Sequence, residues 1–205
     1  MLVDGTVRGL LAALAAPVAP PGGGSACALA SAAGASLLMM VAGLPKTRSN
    51  EDDRTPLSDA LRVLTAIQQQ LTDAIDEDAI AYGRVVAAFK LPKSAGAELN
   101  TRNAAVERAL RGAVEVPLKI MRLSAEALKL AAMIAERCSP PAASDVASAM
   151  ALLRAGLEGA RSAVSSNLVA LTNDDFVAAT RGETVRLSAS AAEAVTNAER
   201  WLPIG

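Results

Sequence analysis

The chain has 205 residues, enough for one domain with a sizeable core, and 52% of them are hydrophobic while only 2% are aromatic. Lys and Arg number 20 against 21 for Asp and Glu, which leaves no basic surplus of the kind that binds nucleic acid. Histidine is absent, so the commonest metal ligand and the commonest proton shuttle near neutral pH are both missing, and acid–base work falls to Asp, Glu, Lys, Tyr, Ser or bound water.

Thr6 to Ala16 reads as a first helix, capped by Asp4 or Thr6 and stopped by Pro17. Its apolar run is too short, and too poorly flanked by Asp4 and Arg8, for a secretion signal. Pro20-Pro21-Gly22-Gly23-Gly24-Ser25 follows, directly before an uncharged run of small residues from Ala26 to Leu44. Ser25 stands where an N-cap belongs, which predicts a helix over Ser25 to Gly43. Bare N–H groups at a helix start suit an anion or a carbonyl oxygen. A flexible leading loop that only lets Ser25 cap is the other reading, and the residues alone leave both open. The glycines are not a Walker loop, which needs Gly-Lys-Ser/Thr, and no strand precedes them as a dinucleotide fingerprint requires. The run 26–44 has about the length of a membrane span, but it is Ala, Ser and Gly rather than Leu and Phe, which predicts a buried core helix and no membrane partner. An alanine-rich core predicts thin side chains and closely approaching helices.

Lys46 to Arg54 reads as a charged loop. Thr55-Pro56 predicts an N-cap and first helical position for a third helix that ends at Leu91-Pro92. Its stripe runs Leu57, Leu61, Leu64, Gln68, Leu71, Ile75, Asp78, Tyr82, Val85, Phe89, a helical spacing interrupted by Gln68 and Asp78. An isolated buried carboxylate is costly, so Asp78 must be paired, hydrogen-bonded, protonated or beside a cavity, unless the helix drifts and leaves it exposed next to Asp76 and Glu77. Tyr82 stands one turn on from it. Lys90 and Lys93 complement the helix C-terminus and can equally hold a carboxylate.

A fourth helix covers Ala95 to Cys138, where Pro117 loses the bond to the Ala113 carbonyl and is expected to kink or split it. Pro140-Pro141 marks a break. A fifth helix covers Ala142 to Leu171. Asp145 lies in its first turn, a routine partner for the dipole, and Asn167 lies late in it, where a polar side chain satisfies a neighbour's backbone. Asn173-Asp174-Asp175-Phe176 opens a short helix, and a last one spans Glu183 to Trp201. With no strand-like alternation, the expected fold class is all-α, a multihelical bundle of six to seven helices in a single domain over residues 1–205, with a proline break in the fourth helix. Cys27 and Cys138 read as small buried hydrophobes in a reducing cytosol, and nothing has metal-ligand spacing.

Taken in order, Pro-Gly-Gly-Gly-Ser with its alanine-rich helix (21–42), Asp78 through Tyr82, Ala88-Phe89-Lys90-Leu91-Pro92-Lys93, Val116-Pro117-Leu118, Ala142-Ala143-Ser144-Asp145-Val146, Asn167-Leu168 and Asp175-Phe176 form a pattern. It resembles the formiminotransferase-cyclodeaminase C-terminal domain family over about residues 4 to 202. Stand-alone members of that family are formiminotetrahydrofolate cyclodeaminases or methenyltetrahydrofolate cyclohydrolases. The loop Leu44-Pro45-Lys46-Thr47-Arg48-Ser49-Asn50 departs from the Gly-Lys-Lys type run of the bifunctional members.

The resemblance implies a cytoplasmic homodimer that acts on tetrahydrofolate one-carbon adducts without metal, redox cofactor or nucleic acid. It implies a cyclodeaminase that forms 5,10-methenyltetrahydrofolate from the 5-formimino adduct with loss of ammonia. A methenyltetrahydrofolate cyclohydrolase is the alternative, and a non-catalytic folate-binding or interaction dimer the alternative from another class. On that footing the catalytic candidates are Asp78, Tyr82 and Asp145. Asp78 with Tyr82 would move protons at N5 and N10, and Asp145 or Asp78 would accept the amino-amidine edge of the pterin. The substrate-binding candidates are Gly22, Gly23, Gly24, Ser25 and Asn167, with Lys90, Lys93 and Arg102 for the anionic glutamate tail. Met39, Met40 or Phe89 would line a slot for the aminobenzoyl ring.

Overall fold

Ala, Leu and Met in a chain with few β-branched clusters favour helix, and helix forms along nearly its whole length. The computed structural model describes residues 1–47, 50–93 and 95–202, with backbone alone at Ala97. Arg48 and Ser49, in the loop that departs from the family pattern, lie outside the described residues. A 3-10 turn at Leu2–Asp4 precedes α1 (Val7–Ala15), α2 (Gly23–Gly43), α3 (Arg54–Phe89) and α4 (Ala97–Arg137). A second 3-10 turn at Pro140–Ala142 leads into α5 (Ala143–Leu168) and α6 (Asp174–Glu199). No strand occurs among the described residues, in keeping with the all-α expectation.

The long helices form a bundle around α2, which packs against α3, α4 and α5, while α6 lies on α4. α2 is long and apolar enough to cross a membrane by composition, and here it is a core helix, with Ala28, Ala35, Leu38, Val41 and Ala42 fully buried. Helix α2 approaches α5 closely because glycine faces it. A Cβ on Gly34 would stand 2.7 Å from the Ala149 carbonyl oxygen, one on Gly156 2.7 Å from the Cys27 carbonyl oxygen, and one on Gly159 would collide with Cys27 Sγ. The buried Ser31 hydroxyl, in this seam, accepts from Ser124 Oγ at 2.8 Å and so ties α2 to α4. Gly156→Ala is therefore expected to push α5 off α2, because its new methyl also meets Ser31 Oγ. Overpacking of this kind costs about 1–3 kcal/mol, measurable as a lower urea midpoint, although alanine alone favours helix over glycine.

Several element starts differ from the sequence reading. α2 begins at Gly23 with Gly22 as N-cap, so Ser25 is the third helical residue rather than the cap. α3 begins at Arg54 with Asp53 as N-cap, two residues ahead of the expected cap Thr55; Asp53 makes no side-chain cap and pairs instead with Arg137 Nε at 2.9 Å. The expected short helix at Asn173–Phe176 and the last helix are one continuous α6, since Gly182 in its interior costs only about 1 kcal/mol relative to alanine. Asn173 caps it, accepting from Phe176 N at 2.8 Å. α4 runs unbroken through Pro117, so the proline removes a hydrogen bond without ending the helix. Gly96, ahead of α4, has φ +80°, a left-handed conformation that favours glycine. Gln68 is half-buried and donates to Thr72 Oγ1 at 3.2 Å on its own helix, which accounts for one of the two interruptions in the α3 stripe.

Candidate active site

Asp78 accounts for the other. It is half-buried and faces the first turn of α2. Its Oδ2 accepts from Ser25 N at 2.9 Å and lies 3.1 Å from Ser25 Oγ, which also stands 2.8 Å from the Ile75 carbonyl oxygen. A hydroxyl has one proton to donate, and a carbonyl can only accept. With Asp78 neutral, Ser25 Oγ donates to Ile75 and accepts from the carboxyl; with Asp78 ionised, the hydroxyl can turn to it. Burial raises the Asp78 pKa above the usual carboxylate range, and the two bonds from Ser25 pull it back in part. Oδ1 has no hydrogen-bond partner among the described residues. Gly24 makes this approach possible, because any Cβ there would collide with Asp78 Oδ1.

Asp78 borders a cavity of about 380 Å³, within the range of small-molecule sites. Gly22, Gly23 and Gly24 form one wall, Asp78 and Tyr82 a second, and Asn167 a third, with Ala81, Val85 and Leu110 supplying apolar surface. A Cβ on Gly22 or Gly23 would meet nothing within 4 Å. The N–H groups of Gly23 and Gly24 belong to the first helical turn and have no partner among the described residues, so they are open donors at the positive end of α2. Asn167 Nδ2 donates to the Ala113 carbonyl oxygen at 2.7 Å, across from α5 to α4. Tyr82 is 46% exposed and lines the mouth.

The structure thus brings Asp78, Tyr82, Gly22, Gly23, Gly24 and Asn167 together, with Ser25 directly behind Asp78. The remaining candidates lie elsewhere. Asp145 sits in the first turn of α5, about 27 Å along that helix from Ala163 at the cavity, so one chain cannot bring it to Asp78. Met39 and Met40 lie about 22 Å along α2 from Gly24. Phe89, Lys90 and Lys93 are exposed at and beyond the far end of α3, Phe89 about 16 Å along the axis from Asp78. Arg102 folds onto that end, its guanidinium 5.7 Å from the Phe89 ring centre and its Nη2 3.5 Å from the Phe89 carbonyl oxygen.

Two further cavities frame the choice of site. One of about 480 Å³ between α5 and α6 holds Arg154, Glu158 and Glu199. The other, about 500 Å³, is an alanine-lined groove between α3 and α4 flanked by Arg84 and Arg108, and it shares Ala81 with the Asp78 cavity. Sequence reasoning missed these two arginines; the available signal was a basic residue on each side of an alanine stripe. It also missed Asp76, which is buried and accepts from Leu2 N at 2.6 Å, pinning the N-terminal turn to α3. Cys27 and Cys138 are half-buried rather than buried; burial pushes both thiols up, with the Asp78 charge adding to the effect at Cys27, so neither is an activated nucleophile. No cluster of three or more Cys, Asp or Glu side chains that could hold a metal occurs among the described residues.

The formiminotransferase-cyclodeaminase family profile matches residues 6–186. The chain belongs to the formiminotransferase-cyclodeaminase family. It is 34% identical to the mouse formimidoyltransferase-cyclodeaminase over 201 residues, a match covering 96% of this chain and 36% of the mouse protein. It is 32% identical to a methenyltetrahydrofolate cyclohydrolase of Methylorubrum extorquens over 120 residues, 58% of each chain. The matched segments therefore span about a third and somewhat over half of these two relatives. The crystal structure of the formiminotetrahydrofolate cyclodeaminase of Thermotoga maritima superposes with a TM-score of 0.88 over 98% of both chains at 20% identity, a likeness of fold.

Proposed function

We propose that this chain is a tetrahydrofolate one-carbon enzyme that closes 5-formiminotetrahydrofolate to 5,10-methenyltetrahydrofolate with release of ammonia. The observation that carries the reading is Asp78, a carboxylate with a raised pKa at the wall of a cavity that the glycine turn Gly22 to Gly24 also lines. A carboxyl group whose pKa is raised by burial holds a proton more readily than a free aspartate and can take and return one, which this chemistry requires. N10 attacks the imino carbon of the protonated, amidinium form of the adduct, forming the C–N10 bond, while the imino nitrogen receives the electron pair and becomes an amine. Asp78 takes the proton from N10 and passes it to the departing nitrogen. The C–N bond then breaks, ammonia leaves, and the methenyl cation remains between N5 and N10. The Gly23 and Gly24 N–H groups suit the pterin carbonyl. Nothing in this sequence of steps calls for a metal or redox cofactor.

The name of the Methylorubrum relative favours a second reading, the cyclohydrolase. There Asp78 takes a proton from water as it adds to the methenyl carbon and returns it to N5; the C–N5 bond breaks as the carbinol hydroxyl gives its proton to solvent, leaving 10-formyltetrahydrofolate. We further propose a cytoplasmic homodimer working as one domain over residues 1–205. Free Cys27 and Cys138 fit a reducing compartment. Ile80, Phe89 and Leu91, exposed beside the α3–α4 groove, are apolar surface that a second subunit would cover. The groove also suits a ligand's ring, with Arg84 and Arg108 near its tail.

The test is a spectrophotometric assay of purified protein with each substrate. Methenyl absorbance appearing from the formimino adduct, with ammonia, supports the cyclodeaminase. Loss of that absorbance from the methenyl substrate alone assigns the cyclohydrolase. Folate binding without turnover of either makes the chain a non-catalytic binder. Tyr82→Phe is expected to lower kcat about tenfold in the productive assay, since it removes one hydroxyl beside Asp78 and leaves the carboxylate in place.

A further inference from the structure

Asn167 and Ala113 both line the cavity, and the bond between them has a cause in the sequence. In a helix the Ala113 carbonyl would accept from the N–H of residue 117, but that residue is proline and has none. The carbonyl left open on α4 is taken by Asn167 Nδ2 of α5 at 2.7 Å. A carbonyl can only accept, so the Asn167 amide is oriented without ambiguity: nitrogen toward Ala113, Oδ1 as the open acceptor. Asn167 Oδ1 has no hydrogen-bond partner among the described residues, and Asn167 lines the same cavity as the glycine donors. Pro117 itself is buried and does not line the cavity.

We propose that Pro117 is a positioning residue: by denying the Ala113 carbonyl its helical donor, it holds the Asn167 amide with Oδ1 facing the ligand, where it reads an N–H donor. Resting on the folate reading above, that donor is the amino edge of the pterin, with the Gly23 and Gly24 N–H groups serving its carbonyl. The cavity then discriminates by polarity on two walls, accepting from the ligand at Asn167 and donating to it at the glycines. Proline inside a helix ordinarily destabilises it, so a purely structural account has no use for Pro117, whereas an amide-orienting account requires it.

The experiment compares the full chain with Pro117→Ala, Asn167→Ala and the double variant. Pro117→Ala returns the N–H to Ala113. It is expected to keep or raise thermal stability while raising KM about tenfold with kcat within about twofold. The double variant should be no worse than Asn167→Ala. Unchanged KM in Pro117→Ala, or losses that multiply in the double variant, would overturn the proposal. The Asn167 side-chain amide resonances in a 15N spectrum give a readout independent of substrate. They should be hydrogen-bonded and slow to exchange in the parent, and should move to the free-amide position in Pro117→Ala. A parent that turns over neither folate substrate removes the folate reading while this spectrum still decides the role of Pro117. Identical spectra remove the positioning role while the kinetics stand. Should Pro117→Ala not fold, Asn167→Asp, which keeps the size and loses the donor, must reproduce the KM rise, and parental KM there would overturn the proposal.

Discussion

Asp78→Asn is expected to lower kcat about a thousandfold, the scale of losing a positioned general acid–base, with folate binding retained in calorimetry. The amide keeps an oxygen to accept from Ser25 N, so the geometry survives and the proton transfer does not. The pH profile separates the two. Because burial raises the Asp78 pKa, the acid limb of the parent's activity should sit above the ordinary aspartate range and be missing from the variant's residual activity. Stability moves the opposite way. In the folded chain Asp78 holds its proton over a pH range in which the unfolded chain has already lost its own. The stabilisation from that proton is fully present below the unfolded pKa and is lost as pH rises through the folded pKa. Above that window the substituted amide carries no buried charge, so the variant should unfold at the parent's temperature or higher while being nearly inactive. A variant that is inactive and also strongly destabilised at pH values above that window would mean that Asp78 serves the fold through Ser25, and the proton-transfer role would be lost.

How far the sequence announced this site depends on which physical signal each residue left. Asp78 was legible because a carboxylate breaking an apolar stripe needs a reason, and Tyr82 because it follows at one helical turn. Gly22, Gly23 and Gly24 were legible as an opening of the backbone, but the cause of Gly24 was not. That cause is the side chain of Asp78, brought against it from α3, and no local pattern encodes a contact between elements so far apart in the chain. Asn167 and Pro117 each carried half of one signal, an unfilled carbonyl and a polar side chain at a buried edge, and only packing of α5 on α4 joins them. Asp145 shows the converse. A carboxylate at a helix N-terminus has a sufficient local reason, and placing it in the site ignored the length of α5. The helices themselves were readable from composition and period, while their starts were not: Gly22 and Asp53 cap from the backbone, without the side-chain bonds on which cap prediction relies.

Gly24→Ala is expected to lower kcat about a hundredfold with little change in unfolding temperature, and this pairing makes it informative. The new Cβ would occupy the place of Asp78 Oδ1, so the carboxylate must swing away from the first turn of α2 and give up the Ser25 N–H and hydroxyl. What yields is the end of a side chain rather than backbone, and alanine gains up to about 1 kcal/mol over glycine inside a helix, so the fold loses little. The chemistry loses more, since displacing a reacting group by about 1 Å can cost a hundredfold. Gly23→Ala is the matched comparison. Its Cβ meets no protein atom within 4 Å and leaves Asp78 where it is, but the methyl projects at the cavity wall beside the open N–H groups. It should therefore raise KM with kcat nearly kept, whereas Gly24→Ala lowers kcat. Combining Gly24→Ala with Asp78→Asn should cost little beyond Asp78→Asn alone, because both act on one carboxylate. Parental kcat in Gly24→Ala would show that the proton is moved by a group other than Asp78, and the assignment would pass to Tyr82 or to a bound water at the same cavity.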